Sequence, residues 1–191
     1  MPRSNEVWFA TSNRNKFDEA KIILKQFNLT LKRLTSKGSE VQADNVAEVA
    51  KHAVKDAYAR WKRPLFVEDT GLFVESLKGF PGPYASFVAR TIGPSSILTL
   101  LADSANREAE FVTAVAFTED GLHVGVFTGT LKGVLSKEPR GTGGFGFDSI
   151  FVPKGQVRTL AEMTPVEKSG LSHRSIALKL FGKWFEPHLI R

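Results

Sequence analysis

Val7-Trp8-Phe9-Ala10 is a short apolar run that stops at Thr11-Ser12-Asn13, and from residue 14 onward the apolar positions change period. Phe17, Ala20, Ile23, Leu24 and Phe27 recur at helical spacing, so the sequence predicts a strand, a tight junction and an amphipathic helix over roughly 14–27. Residues 29–34 alternate well enough for a further strand. A chain that opens this way must cover both a sheet face and a helix stripe.

The pattern continues. Val46, Val49, Ala50, Ala53, Val54, Ala57 and Trp61 form one helical stripe, begun by Asn45 with Glu48 three residues on, an approximate capping box, and ended before Pro64. Leu65-Phe66-Val67 then reads as a buried strand that ends in Glu68-Asp69-Thr70-Gly71. Gly79-Phe80-Pro81-Gly82-Pro83 is a rigid loop, and residues 84–102 read as helix with a break at Gly93-Pro94. Residues 111–118 and 122–131 are β-rich and joined by Glu119-Asp120-Gly121, which predicts a hairpin. Gly141-Thr142-Gly143-Gly144-Phe145-Gly146 precedes a strand expected over 147–152, and Ser172 can cap a helix with Ile176, Ala177, Leu180, Phe181 and Trp184 along one side. Helices mixed with strands and a hairpin give an α/β or α+β fold on a mixed sheet.

Composition narrows the function classes. The chain has 191 residues, of which 42% are hydrophobic and 24% charged, so one folded domain over 1–191 is expected and disorder is not. Cysteine is absent, which removes disulfides, thiolate metal sites and cysteine nucleophiles. No apolar run is long enough to span a membrane and Met1–Glu6 carries no signal-peptide core, so a cytoplasmic protein is expected. The net charge of +6 favours polyanionic partners: nucleic acid, an acidic surface or a phosphorylated small molecule. The densest cluster is Arg60-Trp61-Lys62-Arg63, and elsewhere cations mix with acids.

The chemistry-bearing residues fall in three places. The helix beginning after Ser12-Asn13 has Arg14 and Lys16 in its first turn, and the last helix has His173 and Arg174 directly after Ser172 with Lys168 shortly before. Cations are unfavourable at the positive end of a helix dipole unless an anion offsets them. Each site alone reads equally as solvated charge; their recurrence points to two halves of a phosphate clamp. Glu68 and Asp69 are adjacent on a strand, point to opposite faces and so do different jobs, or else cap the turn through Thr70-Gly71. A carboxylate beside a phosphate site suits a hard cation such as Mg²⁺. The glycine-rich loop has neither the helix nor the acid of a dinucleotide fingerprint, and no P-loop occurs. Its glycines let backbone approach a flat ligand, with Phe145 and Phe147 either stacking on a base or packing in the core. His52, His123 and His188 show no metal-ligand spacing.

Taken in order, Phe9-Ala10-Thr11-Ser12-Asn13-Arg14-Asn15-Lys16, Val67-Glu68-Asp69-Thr70-Gly71, Gly79-Phe80-Pro81-Gly82-Pro83-Tyr84, Gly143-Gly144-Phe145-Gly146-Phe147-Asp148 and Glu167-Lys168-Ser169-Gly170-Leu171-Ser172-His173-Arg174 resemble the motifs of the inosine triphosphate pyrophosphatase family. The resemblance runs from Val7 to about Phe185. It implies an elongated two-lobed α/β fold with a central cleft, a homodimer, and Mg²⁺-dependent hydrolysis of ITP, dITP and XTP to the monophosphate and pyrophosphate. By motif, Thr11, Asn13 and Lys16 would bind the triphosphate, with Ser12, Arg14, Asn15 and Thr70 beside them and Lys55 reaching the phosphates. Asp69 would hold the metal and act as base, with Glu40 as second metal-associated carboxylate. Phe145, Gly146, Phe147, Asp148, Lys168, His173 and Arg174 would hold the base. Ser12 stands where glycine is usual, Glu68-Asp69-Thr70 where Asp-Asp-Ser is frequent, and Phe147 where tyrosine or tryptophan is frequent.

That reaction puts negative charge on the leaving pyrophosphate, which Mg²⁺ and Lys16 would stabilise. Donors from Arg174 or His173 would satisfy the 6-oxo group of hypoxanthine or xanthine and leave adenine unmatched. Two other readings remain: a nucleotide phosphatase of broader base preference, and a nucleic-acid-binding protein using Arg60-Trp61-Lys62-Arg63.

Overall fold

The computed structural model describes residues 5–36 and 41–186, so Glu40 and His188 lie outside the described residues. Strand β1 (Glu6–Ala10) leads through the expected junction into α1 (Arg14–Leu24), which a 3-10 turn at Lys25–Phe27 extends. Strand β2 (Thr30–Leu34) then lies parallel to β1 with Glu6 opposite Thr30 and Ala10 opposite Leu34. Helix α2 (Val46–Trp61) starts where the Asn45 side chain accepts from the Glu48 amide and stops at Lys62, whose φ of 49° is left-handed. Next come β3 (Leu65–Val74), the short β4 (Pro81–Gly82), α3 (Ala85–Thr91) and α4 (Pro94–Leu100). The hairpin strands β5 (Glu108–Thr118) and β6 (Gly125–Leu135), then β7 (Phe151–Pro153), α5 (Pro165–Leu171) and α6 (His173–Phe185), complete the order.

The sheet runs β2-β1-β3-β5-β6-β7, with β4 pairing to β3. β1 is parallel to both neighbours and the remaining pairs are antiparallel, the mixed sheet that the sequence predicts. Three cores divide its surface. Phe9, Phe66, Val115 and Phe117 pack under α1 and α6 on one face, and Val67, Ala114 and Ala116 pack against the Val46–Ala57 stripe of α2 on the other. At the far end Leu72, Phe111, Phe147, Ile150 and Phe151 pack with residues of α3 and α4. The long strands β3 and β5 pass unbroken from the first two cores into the third, pairing from Leu65 opposite Thr118 to Val74 opposite Ala109.

Three expectations change. Glu68 and Asp69 sit in the middle of β3 rather than at its end, because cross-strand pairing with β5 carries the strand on to Val74. The strand expected over 147–152 is reduced to Phe151–Pro153, since residues 147–150 form turns that tuck Phe147 and Ile150 into the far core. The buried stripe of α6 runs through Ala177, Leu178, Phe181 and Phe185, while Ile176, Leu180 and Trp184 stay partly exposed. Gly129 explains the rotation: a Cβ there would lie 2.2 Å from the His173 carbonyl oxygen and 2.6 Å from the Ala177 amide, so α6 rides directly on β6.

Candidate active site

β1 ends at Ala10 and pairs with β3 only through Phe9 and Phe66, whereas β4 reaches β3 only at Leu72 and Phe73. Between those contacts, residues 68–71 of β3 border a notch in the sheet. The Thr11-Ser12-Asn13 turn opens onto it. Thr11 Oγ1 accepts from the Asn13 amide at 3.1 Å, and Asn13 Oδ1 accepts from the Lys16 amide at 3.1 Å, so both polar side chains hold the turn that starts α1. Lys16 then reaches across: its ammonium donates to the Glu68 carbonyl at 3.3 Å, the peptide that joins Glu68 to Asp69, and lies 3.3 Å from Glu68 Oε1. Ser12, Arg14 and Asn15 are exposed around the turn, Arg14 with Asp18 at 3.7 Å.

The two acids of β3 have separate duties, as strand alternation requires. Glu68 faces α1 and α6. It takes Arg174 bidentately, Oε2 from Nε at 2.7 Å and Oε1 from Nη2 at 2.9 Å, and Oε1 also accepts from Thr70 Oγ1 at 2.9 Å. Burial pushes the Glu68 carboxyl up, but Arg174 and Lys16 outweigh burial and hold it down at about 2. Asp69 shares the other face with Val67, the side covered by α2. Both acids border the same notch.

From Arg174 the ion pairs continue without a break. Its Nη1 donates to Glu19 Oε2, Glu19 Oε1 accepts from Lys168 Nζ at 2.8 Å, and Lys168 donates onward to Asp148 Oδ2 at 2.6 Å. Asp148 Oδ2 also accepts from the Phe145 amide at 2.7 Å. Gly144 makes that approach possible, because a Cβ on it would lie 2.2 Å from Asp148 Oδ2 and its φ is +70°. Burial raises the Asp148 pKa against the opposing pull of Lys168 and the Phe145 amide. The half-buried Phe145 ring closes the arrangement, with Lys168 Nζ 5.0 Å and Arg174 Cζ 5.4 Å from its centroid.

The cations at the last helix are therefore not half of a phosphate clamp. Lys168 and Arg174 are spent on Glu19, Glu68 and Asp148, and Arg174 is only 1% exposed. Cations held in buried ion pairs of this kind have little charge left for an anion. His173 belongs to the same wall: it stacks on Phe111 at 4.6 Å, and its Nδ1 lies 2.6 Å from Thr113 Oγ1. Burial first, and then the Arg174 charge, hold its pKa well below the usual imidazole range, so it is neutral at pH 7.

The structure thus brings Lys16, Thr70, Asp148, Lys168, His173 and Arg174 together, with Phe145 over them. Gly146 is exposed in the loop at φ +63°, Phe147 is core, and Lys55 is exposed on α2 with no hydrogen bond or ion pair to the cluster. Sequence reasoning missed Glu19 and Thr113. Glu19 lies three residues after Lys16 in a helix full of charges, and Thr113 is a threonine inside an apolar strand, so neither stands out before folding.

This arrangement has known counterparts. The sequence profile of the Ham1 family matches residues 7–184. The chain belongs to the Ham1 family. Its relatives include the dITP/XTP pyrophosphatase of Saccharolobus solfataricus, 45% identical over 98% of this chain and 97% of that one. The dITP/XTP pyrophosphatase of Thermococcus kodakarensis is 45% identical over 95% and 97%. Among solved structures, a HAM1 protein from Coxiella burnetii superposes with a TM-score of 0.84 at 28% identity, covering 95% of this chain and 98% of that chain. The Staphylococcus aureus Ham1 protein shares the fold with a TM-score of 0.82 at 24% identity, over 95% and 98%. The Ham1 fold and the mixed sheet of this chain are the same architecture.

Proposed function

We propose that this Ham1-family chain hydrolyses non-standard purine nucleoside triphosphates, dITP, XTP and ITP, to the monophosphate and pyrophosphate. One observation carries the reading: a buried, charge-balanced network under an accessible aromatic ring lies beside a helix start that offers Lys16 and exposed polar groups. The first part suits an uncharged purine and the second its phosphate tail. The relatives named dITP/XTP pyrophosphatase support the same substrate class.

Phe145 stacks on the base, and the fixed polar groups of Lys168, Asp148 and His173 read its edge. Lys16 bears on the phosphates through the notch, where its ammonium already meets the Glu68–Asp69 peptide. Asp69 orients and deprotonates the water that attacks the α-phosphorus, and pyrophosphate leaves. Among the described residues no group of three metal-binding side chains exists, and none is needed for Mg²⁺, which takes one or two carboxylates and fills its shell with phosphate oxygens and water. Glu68 is committed to Arg174 and Lys16, so Asp69 is the acid of β3 whose chemistry fits. Asp69, with Glu40, would hold the ion, which would supply charge neutralisation at the phosphates. Lys55 would help only by moving from its exposed position.

We extend the reading to a cytoplasmic homodimer, in keeping with nucleotide-pool substrates and with the exposed Phe80, Tyr84 and Phe87 on one loop-to-helix segment. No helix among the described residues is long and apolar enough to cross a membrane. The test is product identity: purified protein with Mg²⁺ releases pyrophosphate from ITP or XTP, and orthophosphate release or indifference to ITP defeats the proposal. Asp69→Asn abolishes turnover while nucleotide still binds and the fold is kept; chelation of Mg²⁺ likewise stops turnover.

A further inference from the structure

The polar contacts of His173 run through two hydroxyls to a carboxylate, and that chain has a direction. Glu68 is engaged by Arg174 on both oxygens and by Lys16, so it is an ionised acceptor. Thr70 Oγ1, 2.9 Å from Glu68 Oε1, must spend its single proton there. Thr70 and Thr113 face each other across the β3–β5 pair with their oxygens 2.7 Å apart, so this second bond takes its proton from Thr113. Thr113 then has only lone pairs left for His173 Nδ1 at 2.6 Å, and the proton in that bond must sit on Nδ1. The opposite order would leave the Thr70 oxygen facing a carboxylate with no hydrogen between them.

We infer that Thr70 and Thr113 are positioning residues that lock His173 in its Nδ1–H tautomer, so that Nε2 presents a bare lone pair to the base and accepts the N1–H of a 6-oxopurine. Nε2 has no hydrogen-bond partner among the described residues. Hypoxanthine and xanthine carry a proton on N1, whereas adenine carries a lone pair there, so the same atom welcomes one class and repels the other. This differs from the expectation of a donor at His173. It also leaves Arg174, three of whose N–H groups already bond Glu19 and Glu68, as structural support for the wall. The base-reading step rests on the proposed function; the tautomer does not.

The experiment separates the two. Long-range 1H–15N correlation spectra of the ligand-free, 15N-histidine-labelled chain, with His173 assigned by His173→Gln, show a protonated Nδ1 and a bare Nε2. An Nε2–H tautomer, or rapid exchange between the two, overturns the inference. Thr113→Val releases the lock, populating both tautomers and lowering the kcat/KM preference for ITP over ATP about tenfold or more, while Thr113→Ser restores both readouts. In the unaltered chain N1-methylinosine triphosphate, which has no N1–H to donate, is turned over about tenfold or more below ITP. Equal turnover of the two substrates overturns the base-reading step. If the spectra show Nδ1–H but no purine triphosphate is hydrolysed, the proposed function falls with that step and the tautomer assignment stands.

Discussion

Arg174 has three of its N–H groups bonded to carboxylates in an interior that water barely reaches, so its worth is measured by what its partners suffer without it. Glu68→Gln leaves the guanidinium short of half its compensating charge and costs about 3–5 kcal/mol, read as a fall in the urea midpoint. Acid has the same effect by another route. The Glu68 pKa is depressed from 4.5 to about 2, so the stability it confers is complete above about pH 4.5 and drains away as pH falls toward about 2. His173 acts in a higher window. It is buried neutral, and the unfolded chain takes up a proton below about pH 6.5 while the folded chain does not, so stability falls as pH drops through that range. The slope approaches about 1.4 kcal/mol per pH unit for this group, and His173→Gln flattens it by that amount in urea titrations at stepped pH.

Helix α6 carries both His173 and Arg174 in its first turn, so its placement decides the geometry of the wall. Ser172 caps it by accepting from the Ser175 amide at 3.2 Å while fully buried; Ser172→Ala costs about 1 kcal/mol and lowers kcat/KM for ITP along with the melting temperature. Gly129→Ala is harsher, because the new methyl would meet helix backbone that cannot swing aside; it costs about 2 kcal/mol or more and lowers kcat/KM further than Ser172→Ala. Elements of this kind were partly legible beforehand. The junction at Thr11-Ser12-Asn13, the caps at Asn45 and Ser172 and the break at Gly93-Pro94 rest on local backbone chemistry and appear where expected, and the hairpin forms with a longer connection than expected, β6 starting at Gly125 rather than at 122. The length of β3 and the true stripe of α6 were not legible, since each is set by a partner distant in the chain: β5 for the strand, and β6 with its glycine for the helix. In α6 the half-exposed Ile176, Leu180 and Trp184 are as apolar as the buried set, so periodicity alone finds Ala177 and Phe181 but sets the rest of the stripe off-centre, missing Leu178 and Phe185.

At the scale of the whole molecule the excess of cations is spread rather than gathered. Arg63 stacks on Trp8 at 4.5 Å, Lys32 pairs with Glu6, and Arg158 pairs with Glu167 at 2.7 Å. These cations are engaged by neighbours rather than lined up as a phosphate-tracking stripe, and a fluorescence titration with duplex DNA gives no binding that survives physiological salt. The candidate site was readable as a set of residue types but not as a circuit. Lys168 and Arg174 advertise positive charge in the sequence, and only folding sets Glu19 and Asp148 against them from elsewhere in the chain. The notch beside β3 has a mechanical corollary. Because β3 and β5 run past the candidate site as one continuous hydrogen-bonded ladder, the two ends of the sheet share one stiff spine. Relative movement of those ends must bend β3 and β5 themselves, as a leaf spring bends, rather than turn about a linker.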